Sequence, residues 1–190
     1  MEEKEIKEEK KFDKKDVKKK FNKKPFKKAP VKTLDEVVLE TKAVVKVTKG
    51  GRQRRFQAVV LVGNKKGLVG LGIGKANEIS EAVKKARSDA NKNTVKIDLI
   101  NGRTIAHRVE MVEGASKVII NPAKEGVGLI AGGAARSVLD IAGVQDITAK
   151  ILVSRNKINV ARATINALKS VKSIDKVSEA RQKTKEEILG

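Results

Sequence analysis

Residues 67–76, GLVGLGIGKA, set four glycines and a lysine within ten positions, a composition able to cradle phosphate on bare backbone N–H groups. The spacing argues against the nucleotide loops that use this device. Counting back from Gly74-Lys75, a Walker loop needs glycine at Val69 and a metal-binding hydroxyl at Ala76. A dinucleotide fingerprint needs G-x-G-x-x-G, but Gly70, Gly72 and Gly74 step by twos and Lys75 follows. Steps of two mark one face of a strand, with Leu71 and Ile73 on the other. A strand face stripped of side chains is expected where another backbone or a close-packed partner approaches.

A second glycine group, Gly126, Gly128, Gly132 and Gly133, runs into a helix expected over Ala134–Ala142. The N–H groups there could take a phosphate, and structural turns or tight packing account for the pattern equally well. The single histidine, His107, alternates with Ile105, Val109 and Met111, which predicts a packed or edge histidine on an apolar strand face. With no cysteine and no second histidine, disulfides and any His/Cys zinc site are excluded. No enzyme activity, cofactor or metal is expected.

Charge carries more information. Lys46, Lys49, Arg52, Arg54 and Arg55 gather around the turn KGGR (49–52), and Lys65 and Lys66 sit in the next turn. A basic hairpin is narrow enough to enter an RNA groove, and its glycine pair lets backbone approach phosphate. The whole chain of 190 residues has 43 Lys+Arg against 23 Asp+Glu, a net charge of +20, which calls for a polyanionic partner. Aromatic residues are 2% of the chain, too few for a reader that stacks single-stranded bases on rings, so structured RNA or DNA gripped by shape and phosphate is expected. No apolar run is long enough to span a bilayer and the N-terminus lacks a secretory signal core, so no membrane is expected and the cytoplasm is.

These groups need elements to hold them. Residues 1–33 are Lys-rich, with Pro25 and Pro30 and no apolar period, and read as a disordered basic tail, either solvated or folding along nucleic acid. A first domain over 34–97 has three antiparallel strands and a helix. Phe56, Ala58, Val60 and Val62 share a strand face; Ile79, Ala82, Val83, Ala86 and Ala90 share a helix face, with Asn77 as N-cap. A second domain over 98–174 opens with strands Val95–Ile100 and Thr104–Val112 joined by Asn101-Gly102, a type I′ turn. A buried strand from Ser116, the Ala134–Ala142 helix, a strand at Ile147–Val153 and a helix at Ile158–Val171 follow. The capping box Thr184-x-x-Glu187 suggests a last helix in a tail over 175–190. The fold class is α+β.

The segments VTKGGRQRRFQAVVLVGNKKGLVGLGIGKANEI, NPAKEGVGLIAGGAARSVLDIAGVQDI, SRNKINVARATINAL and EEILG resemble, in order and spacing, the family of the fifth protein of the bacterial small ribosomal subunit. The similarity covers Leu34 to Gly190. It implies a first domain like the double-stranded-RNA-binding fold and a second with a left-handed β-α-β crossover. It implies a structural protein that binds small-subunit ribosomal RNA near the decoding region and neck, beside ribosomal proteins four and eight. Roles in assembly, translational accuracy and the channel through which messenger RNA enters are implied too.

By position, Lys49, Gly50, Gly51 and Arg52 match the family hairpin beside the spectinomycin site. Gly70, Gly72, Gly74 and Lys75 match its glycine strand, expected to serve packing and RNA. Gly128, Gly132, Gly133 and Arg136 match the region facing protein four, and Ser154, Arg155, Asn156, Asn159 and Arg162 match an end motif with RNA contacts. Departures are Lys42-Ala43 for Asn-Arg, Arg108 for proline after His107, Val153 for glycine, and Lys157 for proline. With lysine at the first helical position, Asn156 can still cap. A generic basic nucleic-acid-binding or nucleoid protein, and a nucleotide-dependent enzyme built on Gly70–Lys75, are the alternatives.

Overall fold

The computed structural model describes residues 34–184, 187 and 188; the expected tail over 1–33 lies outside them. The first half is a four-stranded antiparallel sheet in the order β1-β2-β3-β4, made of Asp35–Thr48, Gly51–Gly63, Leu68–Ala76 and Thr94–Lys96. Helix α1 (Ile79–Lys92) covers one face. The second half is a four-stranded sheet in the order β5-β6-β8-β7: Val109–Glu113, Ser116–Pro122, Ile147–Val153 and Leu129–Ile130. Helix α2 (Gly133–Ala142) links β7 to β8, which run parallel, so β7-α2-β8 is a β-α-β unit. Helices α3 (Lys157–Ser170) and α4 (Ile174–Arg181) complete an α+β architecture.

The glycine strand behaves as its spacing predicts. Gly70, Gly72 and Gly74 of β3 face Ala90, Ala86 and Ala82 of α1, so close that a Cβ on any of them would overlap those residues' carbonyl oxygens. The three alanines recur every four residues and are fully buried, which places them on one line along the helix. Glycine rows against alanine line: backbone meets backbone, and there is room for nothing else. Leu71 and Ile73 lie on the opposite face of the sheet.

That opposite face joins the larger core. Leu61, Val69 and Ile97 of the first half share one buried cluster with Val118, Ile120, Leu139, Ile141, Ile147 and Leu168 of the second. A bulge in β1, where the register shifts between Val38 and Glu40, lets Leu39 pack against this cluster as well. The turn between β2 and β3 docks on the end of α2: Lys65 N–H donates to the Ile141 carbonyl at 3.1 Å and Gly67 N–H to that of Ala142 at 2.8 Å.

Several expectations are corrected. The strand expected at Val95–Ile100 is only β4, which extends the first sheet by pairing with β3; residues 100 and 104 keep a single bridge. Asn101 and Gly102 do both take positive φ, 52° and 67°, as the expected turn requires. Without a partner strand long enough to extend it, the hairpin stops there, and β5 instead pairs with β6. Asn77 is not the N-cap of α1; Glu78 holds that position, without a side-chain cap bond. Ile79 is exposed, since the helix begins beyond the edge of the sheet's apolar face. His107 sits exposed in a bend, not on a strand face. Helix α4, capped by Ser173 accepting from Lys176 N–H, lies almost wholly within the tail expected over 175–190, ahead of the expected Thr184 box, and none of its residues is fully buried. Of the expected Thr184 box, the described part is a 3.4 Å bond from Glu187 N–H to the Thr184 hydroxyl.

The glycine row sets a sharp test. Gly72→Ala should lower stability by at least about 2 kcal/mol in urea unfolding, because neither α1 nor β3 can yield without opening the sheet. Gly50→Ala, at a tip with nothing within 4 Å, should change it by less than about 0.5 kcal/mol.

Candidate nucleic-acid interface

Beyond the end of β3, strands β1 and β2 continue alone as a ribbon. Every residue from Val45 to Arg55 is exposed. Register sets what each side presents. Val45 faces Arg54 and Val47 faces Arg52 on the side that carries Phe56, while Val44 faces Arg55 and Lys46 faces Gln53 on the other. The Arg54 guanidinium lies 5.3 Å from the Phe56 ring centroid, a cation–π contact that aims it along the ribbon. Lys46, Arg55 and Lys75 line one shallow groove with Val44, Val45 and Gln53. At the tip the Thr48 hydroxyl donates to the Gly51 carbonyl at 3.0 Å, and Lys49, Gly50 and Gly51 stand clear of the body.

A two-stranded ribbon without a covering layer is marginal in water, and clustered like charges weaken it further. Lys46, Lys49, Arg52 and Arg55 have no side-chain hydrogen bond or ion pair among the described residues. The arrangement suits capture of a polyanion, whose phosphates supply the missing partners.

The other expected residues divide. Gly70, Gly72 and Gly74 are buried under α1, so the expectation that they touch RNA is corrected; Lys75 alone of that group is exposed. The turn bearing Lys65 and Lys66 is docked on α2 by its backbone instead of projecting as a free tip, while both side chains remain exposed and Lys65 pairs with Asp35 at 3.5 Å. After β8, Ser154 and Asn156 act locally: Asn156 N–H donates to the Ser154 hydroxyl at 3.3 Å, and the Asn156 amide oxygen caps α3 by accepting from Ile158 N–H at 3.1 Å. Asn159 sits beside Gly114. Arg155 and Arg162 point outward.

Val153 stands just before this motif with φ of 66° and its side chain 87% exposed. A β-branched residue in the left-handed region is strained. Ser154 N–H on the Ala115 carbonyl at 3.2 Å and the Ser116 hydroxyl on the Ser154 carbonyl at 3.0 Å hold the backbone there.

The Gly126–Gly128 passage is not an open anion cradle. Its Gly126 and Gly128 N–H groups donate to one oxygen of buried Asp146 at 3.0 and 3.1 Å, and Arg103 Nε donates to the other at 3.0 Å. The Gly128 N–H holds the Asp146 carboxyl below its usual range, against the opposing effect of burial, and Arg103 and the Gly126 N–H add to the lowering. No sequence pattern points to this cradle, because Arg103 and Asp146 are 43 positions apart. Gly132 and Gly133 open a cleft of about 550 Å³ that also borders Lys150, Arg155 and Lys157. Arg136 is exposed on α2. Lys157 also pairs with Glu40 at 3.4 Å, as does Lys42 at 3.0 Å. Burial alone would raise the Glu40 pKa, and these two lysines bring it below the ordinary value.

Among the described residues no group of carboxylates or His side chains could hold a metal ion, and no helix is long and apolar enough to cross a membrane. Residues 34–98 match the family model described as ribosomal protein S5, N-terminal domain, and residues 112–181 match that of the ribosomal protein S5, C-terminal domain. The chain is 48% identical over 154 residues to the small ribosomal subunit protein uS5 of Thermotoga neapolitana, covering 81% of this chain and 86% of that one. It is 51% identical over 138 residues to the uS5 protein of Campylobacter jejuni, covering 73% and 93%.

Two outcomes test the local geometry. Val153→Gly should raise stability by about 1 kcal/mol, since glycine takes positive φ without the steric penalty but loses more entropy on folding; urea unfolding reads it. The Asp146 carboxyl titrates lower when folded than when unfolded, so its contribution is complete above the unfolded pKa of about 3.9 and is lost as pH falls through the folded value. The thermal midpoint should therefore fall in acid below about pH 4, and Asp146→Asn should lower the midpoint at neutral pH and flatten this acid limb.

Proposed function

Because the chain belongs to the ribosomal protein S5 family, structural and non-enzymatic proteins of the small ribosomal subunit, we propose that it grips small-subunit ribosomal RNA with its projecting hairpin. The observation that carries this reading is the ribbon itself: Lys46, Lys49, Arg52, Arg54 and Arg55 on two strands exposed along both faces. Such a ribbon can enter a groove or junction, where several phosphates neutralise it at once. Lys65, Lys66, Lys75, Arg155 and Arg162 extend the contact around the body. Ser154, Asn156 and Asn159 support it by shaping the start of α3.

In this reading residues 34–97 form the RNA-gripping domain and 98–174 the domain that meets neighbouring proteins, with 175–190 as a helical tail. Gly128, Gly132, Gly133 and Arg136 face ribosomal protein four, and ribosomal protein eight lies alongside. The protein serves subunit assembly, translational accuracy and the passage by which messenger RNA enters, in the cytoplasm. The hairpin tip stands beside the spectinomycin site.

Sucrose-gradient fractionation of lysate with and without a high-salt wash tests the reading. Stoichiometric cosedimentation with mature small subunits through the wash is expected; protein left at the top of the gradient would favour a generic nucleic-acid or nucleoid binder. With isolated RNA, log affinity should fall steeply against log salt, and Lys49→Ala with Arg52→Ala should reduce that slope by about one for each phosphate contact removed.

A further inference from the structure

Where the two halves meet, a cleft of about 310 Å³ lies between the first sheet and α3. Leu71 and Ile73 of β3, Val95 of β4 and Ile165 of α3 give it an apolar wall. Asp89 of α1 and Arg162 of α3 stand at its polar side, with Asn93 and Asn166.

The two charged groups differ in their freedom. One Asp89 oxygen accepts from the Ile73 backbone N–H at 3.0 Å and the other from the Asn93 amide at 3.2 Å. The carboxylate is thereby fixed in direction, yet each oxygen retains a second lone pair. Its first bond also closes β3 beyond the reach of β4, which pairs only with Leu68–Gly70. Arg162, by contrast, is exposed and has no side-chain hydrogen bond or ion pair among the described residues. An apolar wall, an oriented acceptor and an unpaired planar cation thus border one small cleft.

We propose that this cleft takes a single unpaired guanosine nucleotide of an RNA strand, with its base against the apolar wall, its N–H edge on Asp89 and its phosphate on Arg162. The volume admits one base and excludes a duplex. Guanine offers two adjacent N–H donors to a carboxylate, whereas uracil sets one N–H between two carbonyls that the carboxylate repels. The guanidinium plane of Arg162 can also stack on the base, which answers the lack of aromatic rings. The inference rests on the RNA-binding reading and gives it a second site, apart from the hairpin, that reads base identity.

Methyl NMR of the full chain during titration with guanosine 5′-monophosphate, uridine 5′-monophosphate or inorganic phosphate tests it. Methyls of Leu71, Ile73, Val95 and Ile165 should shift saturably with the guanosine nucleotide, about tenfold more weakly with the uridine nucleotide, and not with phosphate. Arg162→Gln, an exposed change, should weaken guanosine-nucleotide binding about tenfold, while Lys49→Ala at the hairpin tip should change it less than about twofold. Asp89→Asn keeps an oxygen for the Ile73 N–H and should erase the preference for guanine. Equal shifts from all three ligands, shifts confined to residues 45–55, or no shifts would overturn the proposal. Failure of the wider RNA reading would show separately, as a flat salt dependence of duplex binding by the unaltered protein.

Discussion

The last turn of α2 holds the two halves in one body. A helix leaves its final four carbonyls without intrahelical partners, and here all four are taken. Val144 and Gly143 N–H groups close back on Leu139 and Asp140, while Lys65 and Gly67 of the β2–β3 turn cross over to Ile141 and Ala142. Gly143 takes φ of 84°, and a Cβ there would strike the Lys65 carbonyl; one on Gly63 would come within 2.6 Å of the Ile141 oxygen. The joint therefore requires backbone at close range from both sides. Lys65 and Lys66 also bring positive charge to the negative end of the helix dipole. This joint closes the end of β2 opposite the ribbon and so ties the strand that carries the ribbon to the second half.

The first half depends on that joint for more than geometry. Its own small cluster is Ala58, Val60, Val62, Ala76, Ala82, Ala86 and Ala90, residues that bury little apolar area each. The glycine-to-alanine contact brings α1 and β3 very near, at the cost of large side chains between them. The larger apolar residues are placed on the far face of the sheet, where Leu61, Val69 and Ile97 share a core with α2 and α3. Burial that scales with area thus comes mainly from between the halves. The sheet is anchored at its Gly63–Gly67 end, and the ribbon projects from the opposite end, beyond Ala76.

What sequence could show follows range. The glycine face, the Asn101-Gly102 turn, the Asn156 cap and the limits of β8 depend on residues within a few positions of one another, and each was legible. The pairing of β4 was not, because Thr94–Lys96 reads as the start of the following apolar run; only the free edge of β3 draws it into the first sheet. His107 shares an alternation with Ile105 and Val109, but the strand begins only at Val109, so the period had no sheet to act on. Asp146 with Arg103 is an acid-to-cation contact and Asp89 with Ile73 an acid-to-backbone one, across 43 and 16 positions. An aspartate in a loop or late in a helix looks alike whether it is solvated or closes a buried N–H. Basic residues were visible as a class, while burial alone separated the glycines beneath α1 from exposed Lys75.

The acids and the cations of the body serve opposite ends. Asp146 holds two backbone N–H groups and Arg103, Asp89 closes the edge of β3, and Glu40 ties the β1 bulge to Lys157 at the start of α3. These carboxylates are engaged inside the fold and cannot screen the hairpin. Lys49, Arg52, Arg155 and Arg162 consequently stay unpaired among the described residues, in a chain whose net charge is +20. Self-repulsion of that size opposes the compact state, and dissolved salt relieves it by screening within about 10 Å at 0.1 M. The same screening weakens attraction to phosphates. A polyanion resolves the conflict that salt cannot, because it neutralises the cations at fixed positions while leaving the interior carboxylates on the backbone they hold.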